Sequence, residues 1–149
     1  MDTPEPKEAH PVKTLIVEDD ASIRILLQRI LEKYGECHFA ENGAQAVEVF
    51  ADARAFGNPF DLVCLDIMMP EMDGHEALRR MRTIEEQHGI MALNGATIIM
   101  ITALNDYRAV SDAYSGLCTE YLVKPFEKAR LLELLIEHRL ITPEQAAVR

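Results

Sequence analysis

Short apolar runs alternate along the chain with longer segments in which apolar residues recur at helical spacing. The apolar runs predict buried β-strands at 13–17, 37–40, 61–66, 97–102 and 120–123. The longer segments predict helices at 21–34, 44–56, 74–88, 106–115 and 127–140. In the first helix the apolar positions are Ile23, Leu26, Leu27, Ile30, Leu31 and Tyr34, and Gly35 is expected to end it.

This alternation predicts an α/β fold in which a parallel sheet is covered by helices on both faces. The strands are continuous apolar runs, as a sheet buried on both faces requires. Right-handed crossovers leave few possible topologies. In open sheets of this kind, ligands bind at the carboxyl ends of the strands, where the strand order reverses.

The chain of 149 residues fits one domain with flanking segments. Residues 1–11 carry three prolines and predict a flexible leader. The folded domain is expected over 12–140. In the tail, 141–149, a capping box from Thr142 to Gln145 predicts a short final helix. Because the tail has no room for an output domain, a stand-alone domain and a piece of a longer protein both stay open.

Composition limits the possible cell compartment and the possible kinds of partner. The three cysteines, Cys37, Cys64 and Cys118, form no CxxC pair, which favours a reducing compartment. No apolar run approaches the ~20 residues of a membrane helix, so a cytoplasmic protein is expected. With a formal net charge of −10, direct nucleic-acid binding is not expected, because that binding needs a basic surface.

Polar side chains stand at the carboxyl ends of four predicted strands. In chain order they are Glu18, Asp19, Asp20, Asp66, Thr102 and Lys124. Each alone has an ordinary explanation, such as a helix N-cap at Asp20 or Ser22. Their convergence on one edge of a parallel sheet indicates a site.

The chemistry of this set favours phosphoryl transfer. Gathered carboxylates repel each other unless a cation lies between them, and oxygen ligands suit Mg²⁺. An amine and a hydroxyl opposite them could neutralise a transferring phosphoryl group. Because the sequence has no P-loop glycines, the phosphoryl group is expected from another protein or a small phosphodonor, with a carboxylate as acceptor.

Four motifs, in order, resemble those of bacterial response-regulator receiver domains. DIMMPEMDG at 66–74 resembles the phosphoacceptor loop of that family, and IVEDD at 16–20, MITA at 100–103 and YLVKPF at 121–126 resemble its other motifs. The resemblance covers about 12–140. It implies a flavodoxin-like (βα)5 fold, a doubly wound parallel sheet with strand order 2-1-3-4-5.

The resemblance also implies a metal site. Asp66 would be the phosphoacceptor, and Mg²⁺ would be held by Glu18, Asp19, Asp66 and the backbone carbonyl of Met68. Asp20 falls one position past the acidic pair and is left out of the site.

The remaining motif residues imply a switch. Lys124 would contact the phosphoryl oxygens, Thr102 would be the switch hydroxyl and Tyr121 the aromatic switch residue. Phosphorylation would then change an output face, defined as the fourth predicted helix, the fifth strand and the fifth predicted helix. The domain would catalyse only its own phosphorylation and dephosphorylation, and would not be an enzyme otherwise.

The expected partners are a histidine kinase or phosphotransfer protein as donor and a downstream protein as target. The segment LLELLI at 131–136 is apolar at five of six positions, more than a core-facing stripe needs. Some of these residues must face outward, which would allow a homodimer, or be covered by the tail.

Two rival classes share parts of this pattern. A flavodoxin-like cofactor binder would need a Ser/Thr/Gly-rich loop after the first strand, where this chain has EDDAS. An aspartate-nucleophile phosphatase would need a second carboxylate two residues after the nucleophile, where this chain has Met68. A receiver that signals without phosphorylation is disfavoured by the complete residue set.

Overall fold

The computed structural model describes residues 10–67, 73–91, 94–103 and 117–148. Its strands form one parallel sheet in the order β2-β1-β3-β4-β5, which confirms the predicted fold and strand order. The strands are β1 (Thr14–Val17), β2 (Cys37–Ala40), β3 (Leu62–Asp66), β4 (Thr97–Ala103) and β5 (Glu120–Lys124).

The described helices follow the predicted ones with shifted ends. They are α1 (Ala21–Leu31), α2 (Gly43–Ala55), α3 (Gly74–Gln87), a long C-terminal helix (Lys128–Glu137) and a tail helix (Pro143–Ala147). The predicted helix at 106–115 lies outside the described residues. None of the helices in the described ranges is long and apolar enough to cross a membrane.

The sheet separates two hydrophobic cores, because successive strand residues point to opposite faces. On one face, Leu15 and Val63 pack with Phe50 of α2 and Met81 of α3. On the other face, the core joins α1 to the long C-terminal helix; its members include Ile16, Leu27, Cys64, Ile99 and Leu134. Burial on both faces explains why the three inner strands β1, β3 and β4 are apolar at nearly every position.

The end of α1 differs from its prediction. The helix ends at Leu31, and Leu26 is 46% exposed, so its predicted place in the apolar face is wrong. The buried stripe runs through Leu27 and the positions one turn further on, which leaves Leu26 at its margin. Gly35 is needed for another reason: a Cβ there would collide with the backbone of Val12.

The apolar segment in the long C-terminal helix faces inward. Leu131, Leu132, Leu134 and Leu135 are all buried, and Ile136 packs against the same core. Further along the chain, Ile141 and Ala146 of the tail contact this core, and the tail helix begins with a capping box. The segment is therefore covered rather than exposed, which removes the sequence argument for a dimer through this helix.

Candidate functional site

The strand order brings the predicted residues to one edge of the sheet. The neighbouring strands β1 and β3 end at this edge: Glu18 directly follows β1, and Asp66 is the last residue of β3. Further along the edge, Ala103 at the end of β4 pairs with Lys124 at the end of β5. Carboxylate oxygens of Glu18, Asp19 and Asp66 lie within 4.8 Å of one another. The carboxyl edge thus carries three clustered carboxylates, as the sequence predicted.

One lysine faces the two buried carboxylates. Lys124 Nζ lies 3.5 Å from Asp66 Oδ1 and 3.7 Å from Glu18 Oε2. Glu18 and Asp66 are 1% and 3% exposed, so water screens their charges poorly. Among the described residues, Lys124 is thus set against two buried carboxylates and the neighbouring Asp19.

The pKa of Glu18 reflects its burial among these charged groups. Burial raises it from 4.5 to about 7, the charge of Asp66 adds to the rise, and Lys124 opposes it. At neutral pH the site therefore either holds a proton or requires another cation.

The oxygen atoms present fit a hard divalent cation. Glu18 Oε2 is buried and lacks a hydrogen-bond partner within the described part of the chain. Asp19 stands at the exposed mouth of the cluster. Carboxylate ligands combined with open positions for water suit Mg²⁺. Met68, whose carbonyl was predicted as a further ligand, lies outside the described residues.

Asp20 serves the helix rather than the cluster. Its Oδ1 accepts hydrogen bonds from the amides of Ser22 (2.8 Å) and Ile23 (3.4 Å), which makes it the N-cap of α1. Its own amide donates to Glu18 Oε1 at 3.2 Å. This orienting contact was missed by sequence reasoning, because residue type does not reveal where a backbone amide points.

The two predicted switch residues lie on adjacent strands. Thr102 is buried, and its hydroxyl donates to the carbonyl of Ala103 at 3.3 Å. Tyr121 pairs with Met100 in the sheet, two positions before Thr102, so both residues lie on the same face. Tyr121 is half-buried and packs against the core beside α2 and α3.

Comparison with known proteins agrees with the fold. The family model of the response regulator receiver domain matches residues 14–136. The chemotaxis protein CheY of Bacillus subtilis is 39% identical over 125 residues, covering 83% of this chain and 93% of CheY. The chain belongs to the response regulator receiver domain family.

Two solved structures are similar to the whole domain. One is the response regulator TrrA from Thermotoga maritima in complex with Mg²⁺ and BeF, with 34% identity and a TM-score of 0.66 over 85% of this chain and 98% of TrrA. The other is the receiver domain of a Pseudomonas aeruginosa sensor histidine kinase with magnesium coordinated in its active-site cleft. It has 25% identity and a TM-score of 0.67 over 86% of this chain and 97% of that one.

Family membership settles the class of function. The chain is a phospho-accepting receiver of two-component signalling, as predicted from its four motifs. Membership of this family therefore decides against the two rival classes, the flavodoxin-like cofactor binder and the aspartate-nucleophile phosphatase.

Proposed function

We propose that Asp66 accepts a phosphoryl group from a histidine kinase or phosphotransfer protein. Glu18, Asp19, Asp66 and the Met68 carbonyl would hold Mg²⁺. The observation that carries this proposal is the cluster of three carboxylates within 4.8 Å of one another, with Lys124 Nζ 3.5 Å from Asp66. Of these carboxylates, Asp66 is buried at the end of the central strand β3, opposite the lysine.

In the transfer, an Asp66 carboxylate oxygen forms a bond to phosphorus while the bond from phosphorus to the donor nitrogen or oxygen breaks. The leaving group departs with the bonding electron pair. Lys124 lies where it can neutralise the phosphoryl oxygens as they approach Asp66. Mg²⁺, when bound, would supply further positive charge beside these carboxylates.

The signal would then follow from a change in two side chains. The Thr102 hydroxyl, which donates to Ala103 in this structure, would turn to the phosphoryl group on Asp66. Tyr121 would move into the space that Thr102 leaves. Phosphorylation would bias an equilibrium between two packings rather than create a new fold.

The described part of the output face offers a target for a downstream protein. A groove of about 460 Å³ runs between β5 and the start of the long C-terminal helix, with Tyr121, Phe126 and Arg130 among its lining. Because Tyr121 contributes to this lining, its movement would alter the groove. We propose a cytoplasmic signalling role in which the domain acts on no substrate beyond its own phosphoryl group.

Asp19→Asn is expected to weaken Mg²⁺ binding at least about tenfold, because it removes one of three clustered carboxylates. Asp20→Asn is the matched control: asparagine can still cap α1, and the backbone amide that orients Glu18 is retained. Isothermal titration of both variants with MgCl₂ measures the difference. Equal weakening by the two substitutions would show that the acidic pair has been assigned wrongly.

A further inference from the structure

A buried ion pair on α3 lies outside the acidic site. Arg82 and Glu85 are 8% and 1% exposed, and Arg82 Nη1 lies 2.7 Å from Glu85 Oε1. Arginine and glutamate are seldom buried to this degree, since removing two charges from water is costly unless both are well paired. A second ion pair on this helix, Arg80 with Glu76, is exposed and has a similar distance of 2.8 Å.

Arg82 connects α3 to the residues that lead into two strands. Its Nε donates to the carbonyl of Leu117 at 2.7 Å, and its Nη1 donates to the carbonyl of Ala96 at 2.9 Å. Its Nη2 reaches the hydroxyl of Thr119 at 3.4 Å. The residues immediately before β4 and before β5 are thus held by one guanidinium group.

Glu85 completes the arrangement from the other side. Its Oε2 accepts a hydrogen bond from the amide of Ala96 at 2.7 Å and lies 3.9 Å from Arg54 Nη2 of α2. A side chain at Gly95 would collide with this carboxylate. Glu85 therefore fixes Arg82 in orientation, and the space around the pair allows little rearrangement.

The segment held by Arg82 continues into the predicted switch residue. Leu117, Cys118 and Thr119 lead directly into β5, in which Tyr121 is the second residue. Leu117, Cys118 and Tyr121 all pack against the hydrophobic core beside α2 and α3. Arg82 holds both neighbours of Cys118, so Tyr121 lies two residues beyond a fixed segment and packs on the same core.

We propose that Arg82, oriented by Glu85, is a positioning residue for Tyr121: it holds the segment before β5 and so favours the position that Tyr121 has in this structure. This inference rests on the proposed function, in which Tyr121 moves when Asp66 is phosphorylated. The Arg82–Glu85 pair therefore opposes the movement of Tyr121 that follows phosphorylation of Asp66. In this way it sets how readily phosphorylation changes the output face.

The consequence is a population shift with a definite direction. Loosening the segment before β5 makes the resting position of Tyr121 less stable relative to its moved position. By linkage, any group on Asp66 that favours the moved position then binds more tightly. Arg82→Lys, which retains the charge but loses the planar fork of donors, and Glu85→Gln, which retains the shape, should both have this effect.

The test uses the whole chain labelled with 3-fluorotyrosine, with the Tyr121 resonance identified by its loss in Tyr121→Phe. The phosphoryl mimic is beryllofluoride with Mg²⁺. In Arg82→Lys and Glu85→Gln, the Tyr121 resonance of the free protein is expected to move toward its beryllofluoride position. Beryllofluoride should bind at least about fivefold more tightly. Arg80→Lys and Glu76→Gln, on the exposed pair of the same helix, should match the parent.

A purely structural role would look different. Lower unfolding temperatures for Arg82→Lys and Glu85→Gln, with the Tyr121 resonance and the beryllofluoride affinity unchanged, would overturn the proposal. If Arg82→Lys does not fold, the isosteric Glu85→Gln decides the question by the same two readouts. If the Tyr121 resonance of the parent does not move when beryllofluoride binds, the Tyr121 switch of the proposed function is refuted instead. Beryllofluoride that does not bind the parent would instead refute the Asp66 assignment.

Discussion

Asp66→Asn is expected to abolish covalent phosphorylation by acetyl phosphate. Asparagine preserves the size of the buried side chain but lacks the carboxylate oxygen that attacks phosphorus. Intact-protein mass spectrometry after incubation with acetyl phosphate and MgCl₂ should show one added phosphoryl group on the parent and none on the variant. Chelation of Mg²⁺ with EDTA should also suppress labelling of the parent.

The matched control for this loss is Asp73→Asn. Asp73 begins α3 and accepts a hydrogen bond from the amide of Glu76 at 3.0 Å, a cap that asparagine also provides. This variant should be labelled as the parent is. Phosphoryl label that persists on Asp66→Asn would place the acceptor elsewhere, and label that persists in EDTA would remove the need for a metal.

The same substitution is expected to stabilise the protein in the absence of metal. Asp66 is the second cause, after burial, of the raised pKa of Glu18. Removing its charge relieves repulsion between two buried carboxylates that share one lysine. We expect the free energy of unfolding at pH 7.5 in EDTA to rise by about 1–2 kcal/mol. Such a gain would indicate that the carboxylates are kept together for function rather than for folding.

The pH dependence of this gain follows from the direction of the shift. Because the pKa of Glu18 rises from 4.5 to about 7 on folding, the folded state binds its proton more tightly than the unfolded state. The parent should therefore lose stability as the pH rises from about 4.5 to 7. The advantage of Asp66→Asn should be small at pH 5 and full at pH 7.5.

Urea unfolding followed by circular dichroism measures both effects. Asp52→Asn, which removes an exposed charge from α2, controls for the general benefit of a less negative protein. Saturating MgCl₂ should stabilise the parent more than Asp66→Asn and so reduce the difference. If Asp66→Asn is less stable than the parent in EDTA at pH 7.5, the carboxylates do not repel each other as described.

The acidic edge of the sheet was predictable because it depends on residue order alone. In a parallel sheet the carboxyl ends of the strands meet at one edge, so Glu18, Asp66 and Lys124 had to converge once the strands were identified. The apolar runs identified those strands, since burial on both faces excludes polar residues from them. Strand order came from the resemblance to receiver domains and is confirmed by the pairing of β1 with both β2 and β3.

The ion pair of Arg82 and Glu85 could not be predicted in the same way. Charged residues on an amphipathic helix normally face solvent, as Arg80 and Glu76 do. Two of the partners of Arg82 are backbone carbonyls 14 and 35 residues away along the chain, and backbone groups leave no signature in a sequence.

Chemical trapping tests most directly whether the phosphoryl group is attached to Asp66. Borohydride reduces an aspartyl phosphate to homoserine and leaves free carboxylates unchanged. The parent protein, phosphorylated with acetyl phosphate and Mg²⁺, would be reduced, digested and sequenced by mass spectrometry. We predict homoserine at position 66 and unmodified aspartate at positions 19, 20 and 73. Homoserine at another position, with unmodified Asp66, would contradict the account.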